Sequence, residues 1–161
     1  MRYWLMKTEP TETSIDDAMA APQQTVGWDG VRNYQARNFM LHQMQIGDGI
    51  LFYHSSCAQP GIVGLAEVVS EPYPDPTQFD PGNPHYDPKS DPAEPRWAQV
   101  DIKITRKINL ISLVELRRHA SLRNMRVLMR GNRLSITPVS TDEWRFITGQ
   151  LADEVSESGL A

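Results

Sequence analysis

The sequence predicts an α+β domain, with a small, mixed and mostly antiparallel β-barrel surrounded by helices. Its 161 residues suffice for one domain with one core, and 40% hydrophobic with 22% charged residues is an ordinary globular composition. The predicted strands are separated by insertions of unequal length, unlike the regular βαβ units of a doubly wound sheet. Residues 1–150 are expected to form the domain, and the acidic segment 151–161 a frayed tail.

The first half of the chain alternates between short apolar runs and helical patterns. The aromatic run at 3–6 predicts a strand, and Ser14 followed by two Asp predicts a helix start. The apolar spacing over 34–44 predicts a second helix, which a Gly-Asp-Gly turn follows. The apolar runs at 50–54 and 62–69 then predict two buried strands.

The middle of the chain is rich in proline. Eight of the twelve prolines lie within 72–95. Because proline lacks a backbone donor and fixes φ, this segment is predicted to be a long extended loop. Strict alternation over 97–104 then predicts a strand with one face in water.

The last third is predicted to contain helices over 112–119 and about 121–130, and a short strand within 134–139 that Pro138 stops. The Ser-Thr-Asp-Glu sequence from Ser140 is a capping box and predicts a final helix.

Several classes of protein are disfavoured by composition. No apolar run approaches the ~18 residues of a membrane span, and the first ten residues do not continue into a signal-peptide core, so a cytoplasmic protein is expected. The single Cys57 excludes an internal disulfide and a cysteine-based zinc site. The four histidines lack metal-ligand spacing, so neither a metal nor a cofactor is expected: His42, His54, His85 and His119.

Positive charge is concentrated in one region. The net charge is −4, yet residues 101–133 hold nine Lys or Arg and two acids, which leaves +7 there and −11 elsewhere. This asymmetry indicates either a basic face for a polyanion or a solvated helical face. On the first interpretation four arginines of this stretch contact phosphates: Arg117, Arg126, Arg130 and Arg133.

No convincing catalytic constellation is present. Glycine-rich phosphate loops are missing, and Ser55 and Ser56 beside His54 would point to opposite faces of a strand. An enzyme acting on modified bases would have to use His54 or Glu9 as its general base.

The segment 27–40, GWDGVRNYQARNFM, is more polar than a core segment requires. Trp28 lies between two glycines, where a turn could present its indole as a flat wall, although an ordinary core tryptophan is the alternative. Asn33 suits the edge of a base, and Arg32 and Arg37 suit phosphates.

The chain resembles the EVE domain family of the PUA-like superfamily over residues 2 to about 150. The resemblance rests on YWLMKTEP at 3–10, WDGVRNYQARN at 28–38, LFYHSS at 51–56, GIVGLAEVV at 61–69, the proline segment through RWAQVD, and RLSITPVS at 133–140. It implies a PUA-like β-barrel that binds nucleic acid and holds a modified base in a pocket, with modified cytosine in DNA favoured. An RNA-modification reader and a nucleoside or small-molecule sensor are the alternatives, and a monomer is expected.

The resemblance also implies a set of pocket residues. They are Lys7, Thr8, Glu9, Trp28, Asp29, Val31, Arg32, Asn33, Tyr34, Tyr53, His54 and Ser55. Within this pocket Trp28 is expected to stack on the base while Asn33, Asp29 and Thr8 contact its polar edges. Structural ion pairs within the motifs, Glu9 with Arg32 or Asp29 with Arg37, are the alternative for these charged groups. Trp4, Trp97 and Trp144 are expected in the core.

Overall fold

The computed structural model describes residues 1–153, which form an α+β fold. The strands are β1 (Tyr3–Thr8), β2 (Thr25–Gly27), β3 (Gly49–His54), β4 (Gly61–Val68), β5 (Tyr73–Pro74), β6 (Ala98–Gln99), β7 (Asp101–Ser112) and β8 (Ile136–Val139). The α-helices are α1 (Ile15–Ala20), α2 (Tyr34–His42), α3 (Leu113–Arg117) and α4 (Thr141–Phe146). Four 3₁₀ turns and a C-terminal π-helical turn complete the elements: Pro22–Gln24, Pro76–Phe79, Ala120–Leu122, Arg126–Leu128 and Ile147–Leu151.

Six strands form one open sheet in the order β2-β7-β4-β3-β1-β8, and β5 pairs with β6 in a separate ribbon. Only β1 and β3 pair in parallel within the six-stranded sheet, so it is mostly antiparallel as expected. The predicted closed barrel is wrong, because β2 and β8 remain edges. Both are short, and Pro138 in β8 cannot donate to a further strand, so neither edge offers a ladder long enough for closure.

Both faces of the sheet carry a hydrophobic cluster, because successive side chains of a strand point to opposite sides. Trp4 and Met6 of β1 lie in the first cluster, which α1 and α2 cover, and Leu5 lies in the second, which α3 and the C-terminal helical turns cover. The Trp4 indole also donates to the buried Asp48 carboxylate at 3.0 Å. The sheet is therefore a middle layer with helices on both sides.

Local capping signals match the helix starts. Ser14 and Asp17 form a capping box at α1, and Ser140 and Glu143 form another at α4. These interactions satisfy backbone donors that the first helical turn leaves free. Helix α2 ends at His42, two residues before the predicted end.

Two predicted elements differ from the structure, and one strand was not predicted. The chain at 25–27 forms an edge strand that no pattern indicated. The strand predicted over 97–104 is interrupted at Val100, and its second part continues to Ser112. In place of the helix predicted over 121–130, the chain forms two separate 3₁₀ turns, Ala120–Leu122 and Arg126–Leu128.

The proline-rich segment is predominantly irregular, as predicted, but it is densely hydrogen-bonded. The buried Gln78 amide donates to the carbonyls of Asp75 and Trp97 at 2.7 and 2.8 Å. Its oxygen accepts from the Trp97 N–H at 3.0 Å. These bonds fix the start of the segment against its end, so the segment forms a compact surface layer beside the sheet.

The C-terminal region stays packed up to the last described residues. Leu151 and Ala152 pack against the second cluster, and the Asp153 carbonyl accepts from the Asn109 N–H at 2.8 Å. The rest of the segment predicted as a frayed tail, 154–161, lies outside the described residues. Within 1–153, no helix combines the length and the apolar character that crossing a bilayer requires.

Candidate binding site

A cavity of about 720 Å³ opens where β1 and β3 end. This volume falls in the range of roughly 300–1,000 Å³ that is typical of small-molecule sites. Its lining comes from segments that are distant in sequence: Lys7, Thr8, Glu9, Glu12, Thr13, Val26, Gly27, Trp28, Asp29, Gly30, Val31, Ser55, Ser56, Asn83, Pro84, His85, Arg133 and Ser135.

The parallel pairing of β1 and β3 builds the base of this cavity. Parallel strands end at the same edge of a sheet, so Thr8 and Ser55 become neighbours, and the Ser55 N–H donates to the Thr8 carbonyl at 2.9 Å. On the other side of β1, the Lys7 N–H donates to the Ser135 carbonyl at 2.8 Å. This bond brings the segment with Arg133 to the cavity beside Lys7.

Lys7 and Arg133 form the basic wall of the cavity. The half-buried Lys7 ammonium has no hydrogen-bond acceptor or counter-ion within residues 1–153, and burial lowers its pKa. The exposed Arg133 guanidinium has no ion-pair partner in the same part of the chain. A partly desolvated cation without a counter-charge favours an anionic ligand.

Glu12, Asp29 and His85 form a second wall of the cavity, with two carboxylates. His85 Nε2 lies 3.3 Å from Glu12 Oε1, which joins the proline-rich segment to the loop after β1. Burial raises the pKa of Asp29, and the negative charges of Asp75 and Glu12 raise it further. No side chain within 1–153 donates a hydrogen bond to the Asp29 carboxylate, so it remains available as an acceptor.

The turn between β2 and α2 needs its second glycine. Gly30 has φ +78°, and a Cβ there would lie 2.7 Å from the His85 ring. Its N–H donates to Asp75 Oδ2 at 2.8 Å. Glycine therefore allows the turn and the proline-rich segment to approach each other closely.

Trp28 is largely a core residue that borders the cavity. Only 6% of its surface is exposed, and its ring meets Phe52 edge-on at 5.4 Å between centroids. The structure thus corrects the expectation of an indole projecting from the turn as a free wall. Trp28 packs in the first hydrophobic cluster, and only one edge of its side chain lines the cavity.

Arg32 does not line the cavity; it braces the turn. Its guanidinium donates to Asp75 Oδ2 at 3.0 Å, to Thr77 Oγ1 at 3.0 Å and to the His85 carbonyl at 2.7 and 2.9 Å. The proposed Glu9–Arg32 ion pair is therefore wrong, because Asp75 is the partner. Burial of Asp75 opposes ionisation, but hydrogen bonds from Thr77, Gly30 and Arg32 outweigh it and hold the pKa of Asp75 below its ordinary value.

Asn33, Tyr34 and Arg37 also lie outside the cavity lining. Asn33 is the N-cap of α2, and its side-chain oxygen accepts from the Ala36 N–H at 3.0 Å. Tyr34 stacks on Trp97 with 4.8 Å between centroids. Arg37 donates to Asn38 Oδ1 and to the Arg96 carbonyl, so the alternative Asp29–Arg37 ion pair is wrong as well.

The third motif brings only its serines to the cavity. Tyr53 is buried in the second cluster, on the other face of the sheet, and burial raises its pKa. His54 Nε2 accepts from the Ile15 N–H at 3.1 Å, and burial lowers the pKa of His54. The ring is therefore a neutral acceptor that anchors the start of α1, whereas Ser55 and Ser56 line the cavity.

The basic stretch 101–133 divides between the cavity and the outer surface. Arg133 lines the cavity, whereas Arg117, Arg126 and Arg130 are exposed on the helical side and do not. Lys107 is engaged by Asp16 at 2.6 Å.

Ten cavity residues were not among the predicted site residues, and four of them, Val26, Gly27, Gly30 and Ser56, belong to the segments around Trp28 and Ser55. Glu12 and Thr13 follow the first motif, Ser135 lies inside the last, and the other three belong to the proline-rich segment: Asn83, Pro84 and His85. No local pattern marks the last three, because tertiary contacts bring them to the turn. Among residues 1–153, no group of three or more His, Cys, Asp or Glu side chains is arranged to hold a metal ion.

Comparison with known proteins decides the family, because the EVE domain model matches residues 2–150. The chain belongs to the EVE domain family. This EVE domain is 45% identical to human thymocyte nuclear protein 1, in an alignment that covers 90% of the chain and 72% of the human protein. It is also 36% identical to an uncharacterised fission yeast protein, Schizosaccharomyces pombe C21.03c, over 91% of the chain and 66% of that protein.

Solved structures of relatives share the fold. The crystal structure of the human THYN1 protein in complex with DNA containing 5-methylcytosine has a TM-score of 0.87 and 44% identity, covering 92% of this EVE domain and 96% of that chain. A hypothetical protein from Leishmania major has the same TM-score with 41% identity, covering 92% and 93%. The ASCH protein of Zymomonas mobilis, with 10% identity and a TM-score of 0.55, is similar in fold only.

Proposed function

We propose that this EVE domain binds DNA that carries a modified cytosine, and that it holds the modified base in the cavity without changing it. The structure of the human relative with 5-methylcytosine DNA points to this class of ligand. The observation that carries the proposal is the cavity itself, whose lining contains two unpaired cations, Lys7 and Arg133, and an unpaired carboxylate, Asp29. A nucleotide has the matching arrangement, because its phosphate is anionic and its base presents hydrogen-bond donors.

Each wall has a role in this proposal. The exocyclic amino group of cytosine can donate a hydrogen bond to a carboxylate. Asp29 suits this role, and Glu9 and Glu12 also line the cavity. Val31 offers an apolar surface to a methyl substituent, and the margin of Trp28 borders the base. On the basic wall, Lys7 and Arg133 bind the phosphate, while the hydroxyls of Thr8 and Ser55 complete the polar lining.

Other predicted residues act at a distance from the base. Arg32 and Asn33 hold the turn and the start of α2, and His54 holds the start of α1. Tyr53 supports β3 from the opposite face. Phosphate contacts by Arg37 and by the exposed arginines of the basic stretch lie outside the cavity and extend the interface along the nucleic acid.

Equilibrium titration with matched oligonucleotides tests the proposal. The wild type should bind DNA with one 5-methylcytosine more tightly than plain DNA. Val31→Ala should reduce this preference, because Val31 offers the apolar surface to the methyl group. Asp29→Ala should weaken binding of both DNAs, because the amino group that Asp29 contacts is the same in cytosine and 5-methylcytosine. Lys7→Ala should weaken both DNAs alike and make the salt dependence shallower by about one unit of slope. Asp80→Ala and Lys103→Ala are controls, since neither residue lines the cavity.

Equal affinity of the wild type for modified and plain DNA would contradict the proposal. Tighter binding to RNA would favour the RNA-modification reader, and equal affinity for the free nucleoside would favour the sensor. Products formed from a modified oligonucleotide, detected by mass spectrometry and lost in Glu9→Gln or His54→Ala, would favour an enzyme. The cytoplasmic location and the monomeric state stay predictions.

The basic stretch has its own test. If Arg117, Arg126 and Arg130 contact phosphates, replacing all three by alanine should reduce the slope of binding against salt by about one unit per lost contact. An unchanged slope would assign these arginines to a solvated surface.

A further inference from the structure

Tyr34 is an exposed aromatic residue on a rigid support. It opens α2 and is 52% exposed, yet its ring stacks on Trp97 with 4.8 Å between centroids and 27° between planes. Trp97 is buried, and its indole N–H donates to Asp87 Oδ2 at 2.8 Å. The tyrosine ring is therefore held in a defined orientation at the surface. Tyr34, Trp97 and Arg37 are together called the Tyr34 stack.

One face of the Tyr34 ring is free. The Arg37 guanidinium carbon lies 4.6 Å from the Tyr34 centroid and 6.0 Å from the Trp97 centroid. With 4.8 Å between the two rings, these separations form a triangle with almost a right angle at Tyr34. Arg37 thus lies beside the ring pair, and no described ring or cation covers the face opposite Trp97. The large exposed fraction of Tyr34 agrees with this geometry.

The edge of the Tyr34 stack is positively charged. The hydrogen bonds of Arg37 go to neutral acceptors, namely Asn38 Oδ1 and the Arg96 carbonyl, so its charge has no counter-ion within 1–153. The Arg96 side chain is 39% exposed and lies 4.0 Å from Asp87. The unpaired charge of Arg37 therefore stands beside the exposed ring of Tyr34.

Arg32 connects the Tyr34 stack to the cavity. Its guanidinium carbon lies 5.4 Å from the Trp97 centroid, and the same group binds Asp75, which accepts from the Gly30 N–H of the cavity turn. Two successive contacts, of 5.4 and 4.8 Å, therefore lead from Arg32 to the Tyr34 ring.

We propose that the Tyr34 stack is a second nucleic-acid contact, at which a base flanking the one in the cavity stacks on the free face of Tyr34. Arg37 or Arg96 then binds the phosphate of that nucleotide. Aromatic faces bind bases of any sequence, because every base has a π-face. This inference rests on the proposed function of the cavity. A tyrosine–arginine surface also suits a protein partner, but its connection to the cavity and its positive edge favour the strand that the cavity holds.

Binding measured against oligonucleotide length tests the inference. Single-stranded DNAs of one to about nine nucleotides would carry a central 5-methylcytosine, and wild-type affinity should rise with length. Tyr34→Ala should weaken binding of the longest DNA roughly 5- to 100-fold, which corresponds to ~1–3 kcal/mol for one stacked base. The affinity of the Tyr34→Ala variant for free 5-methyl-2′-deoxycytidine should stay within about twofold of wild type, because the nucleoside occupies only the cavity.

Two variants serve as controls. Tyr34→Phe keeps the ring and should retain the gain from length, whereas Ile46→Ala removes a side chain of similar exposure elsewhere and should bind as wild type. Wild-type binding of the longest DNA by Tyr34→Ala would overturn the inference and leave the stack as a brace for α2. Equal weakening of DNA and nucleoside, together with a lower Tm, would also overturn it. If the wild type binds DNA and nucleoside equally, the result favours the nucleoside sensor and the inference fails. If it binds neither, the proposed function fails first.

Discussion

The two parts of the segment from Trp28 to Arg37 both contribute charged groups, but these groups have opposite structural roles. In the turn half, 28–31, the side chain of Asp29 faces a cavity without a protein partner. In the helix half, 32–37, Arg32, Asn33 and Arg37 all have protein acceptors or donors. A polar segment therefore forms many hydrogen bonds, but most of them can lie within the protein. Only a polar group without a protein partner is free to bind a ligand.

The largest expected effect is in the turn half, where Trp28 combines burial with a place in the cavity lining. Trp28→Ala should lower the free energy of unfolding by roughly 3–5 kcal/mol, because it removes a core side chain packed against Phe52. Denaturant unfolding measures this change, with Trp28→Phe as the milder control. A Trp28→Ala protein as stable as the wild type would mean that the indole does not contribute to the core.

The second-largest effect is expected from loss of the Asp75–Arg32 ion pair, which holds the turn. Asp75 is fully buried and binds Arg32, Thr77 and the Gly30 N–H. Asp75→Ala should cost about 3 kcal/mol, toward the lower end for a broken buried ion pair because Arg32 remains partly accessible to water. Asp80→Ala, in the same proline-rich segment but exposed, should cost much less. Equal unfolding free energies for the two variants would mean that the buried Asp75 contributes no more to stability than the exposed Asp80.

Asn33 should show a smaller and purely structural effect. Asn33→Ala removes the N-cap of α2 and should cost roughly 0.5–2 kcal/mol, whereas Asn33→Asp keeps an acceptor and should be close to wild type. Thermal melting and titration with modified and plain DNA should be done together. A stable Asn33→Ala protein that has lost its preference for the modified base would instead place Asn33 in contact with that base.

The smallest effect concerns acid. Hydrogen bonds hold the pKa of Asp75 below that of an unfolded Asp, about 3.9. The contribution of the ionised group is therefore complete above this value and is lost as pH falls through the lower folded pKa. Unfolding followed from about pH 6 to pH 3 should show a weaker acid dependence in Asp75→Asn than in the wild type. Identical slopes would mean that other carboxylates dominate the acid response.

Local signals account for the parts of the fold that were predicted correctly. Apolar runs indicated β1, β3 and β4, and Ser14 and Ser140 indicated two helix starts, because each of these patterns acts within one turn or one strand. Closure of the sheet was predicted wrongly, since it depends on whether its two edge strands can pair, and β2 contains only three residues. The segment after α3 forms short 3₁₀ turns and not one helix, and no local pattern in the sequence distinguished the two.

The site was also predicted only in part. Lys7, Thr8 and Ser55 were expected in the pocket from the family resemblance, and they line the cavity because the parallel β1 and β3 end at the same edge of the sheet. His85 has no such signal, since its position depends on contacts made across the fold. The partner of Arg32 was equally hidden, because Asp75 lies far along the chain in a segment that offered many carboxylates.

The position of β1 has a consequence for how the molecule is made. This first strand lies between β3 and the last strand, β8, so Met6 faces Phe52 on one side and Ile136 on the other. During synthesis from the N-terminus, β1 can gain its second neighbour only after residues 136–139 have left the ribosome. The basic wall forms at the same moment, because Lys7 meets Ser135 there. Nascent chains arrested before β8 should accordingly lack the ligand site even where β3 and β4 have already paired.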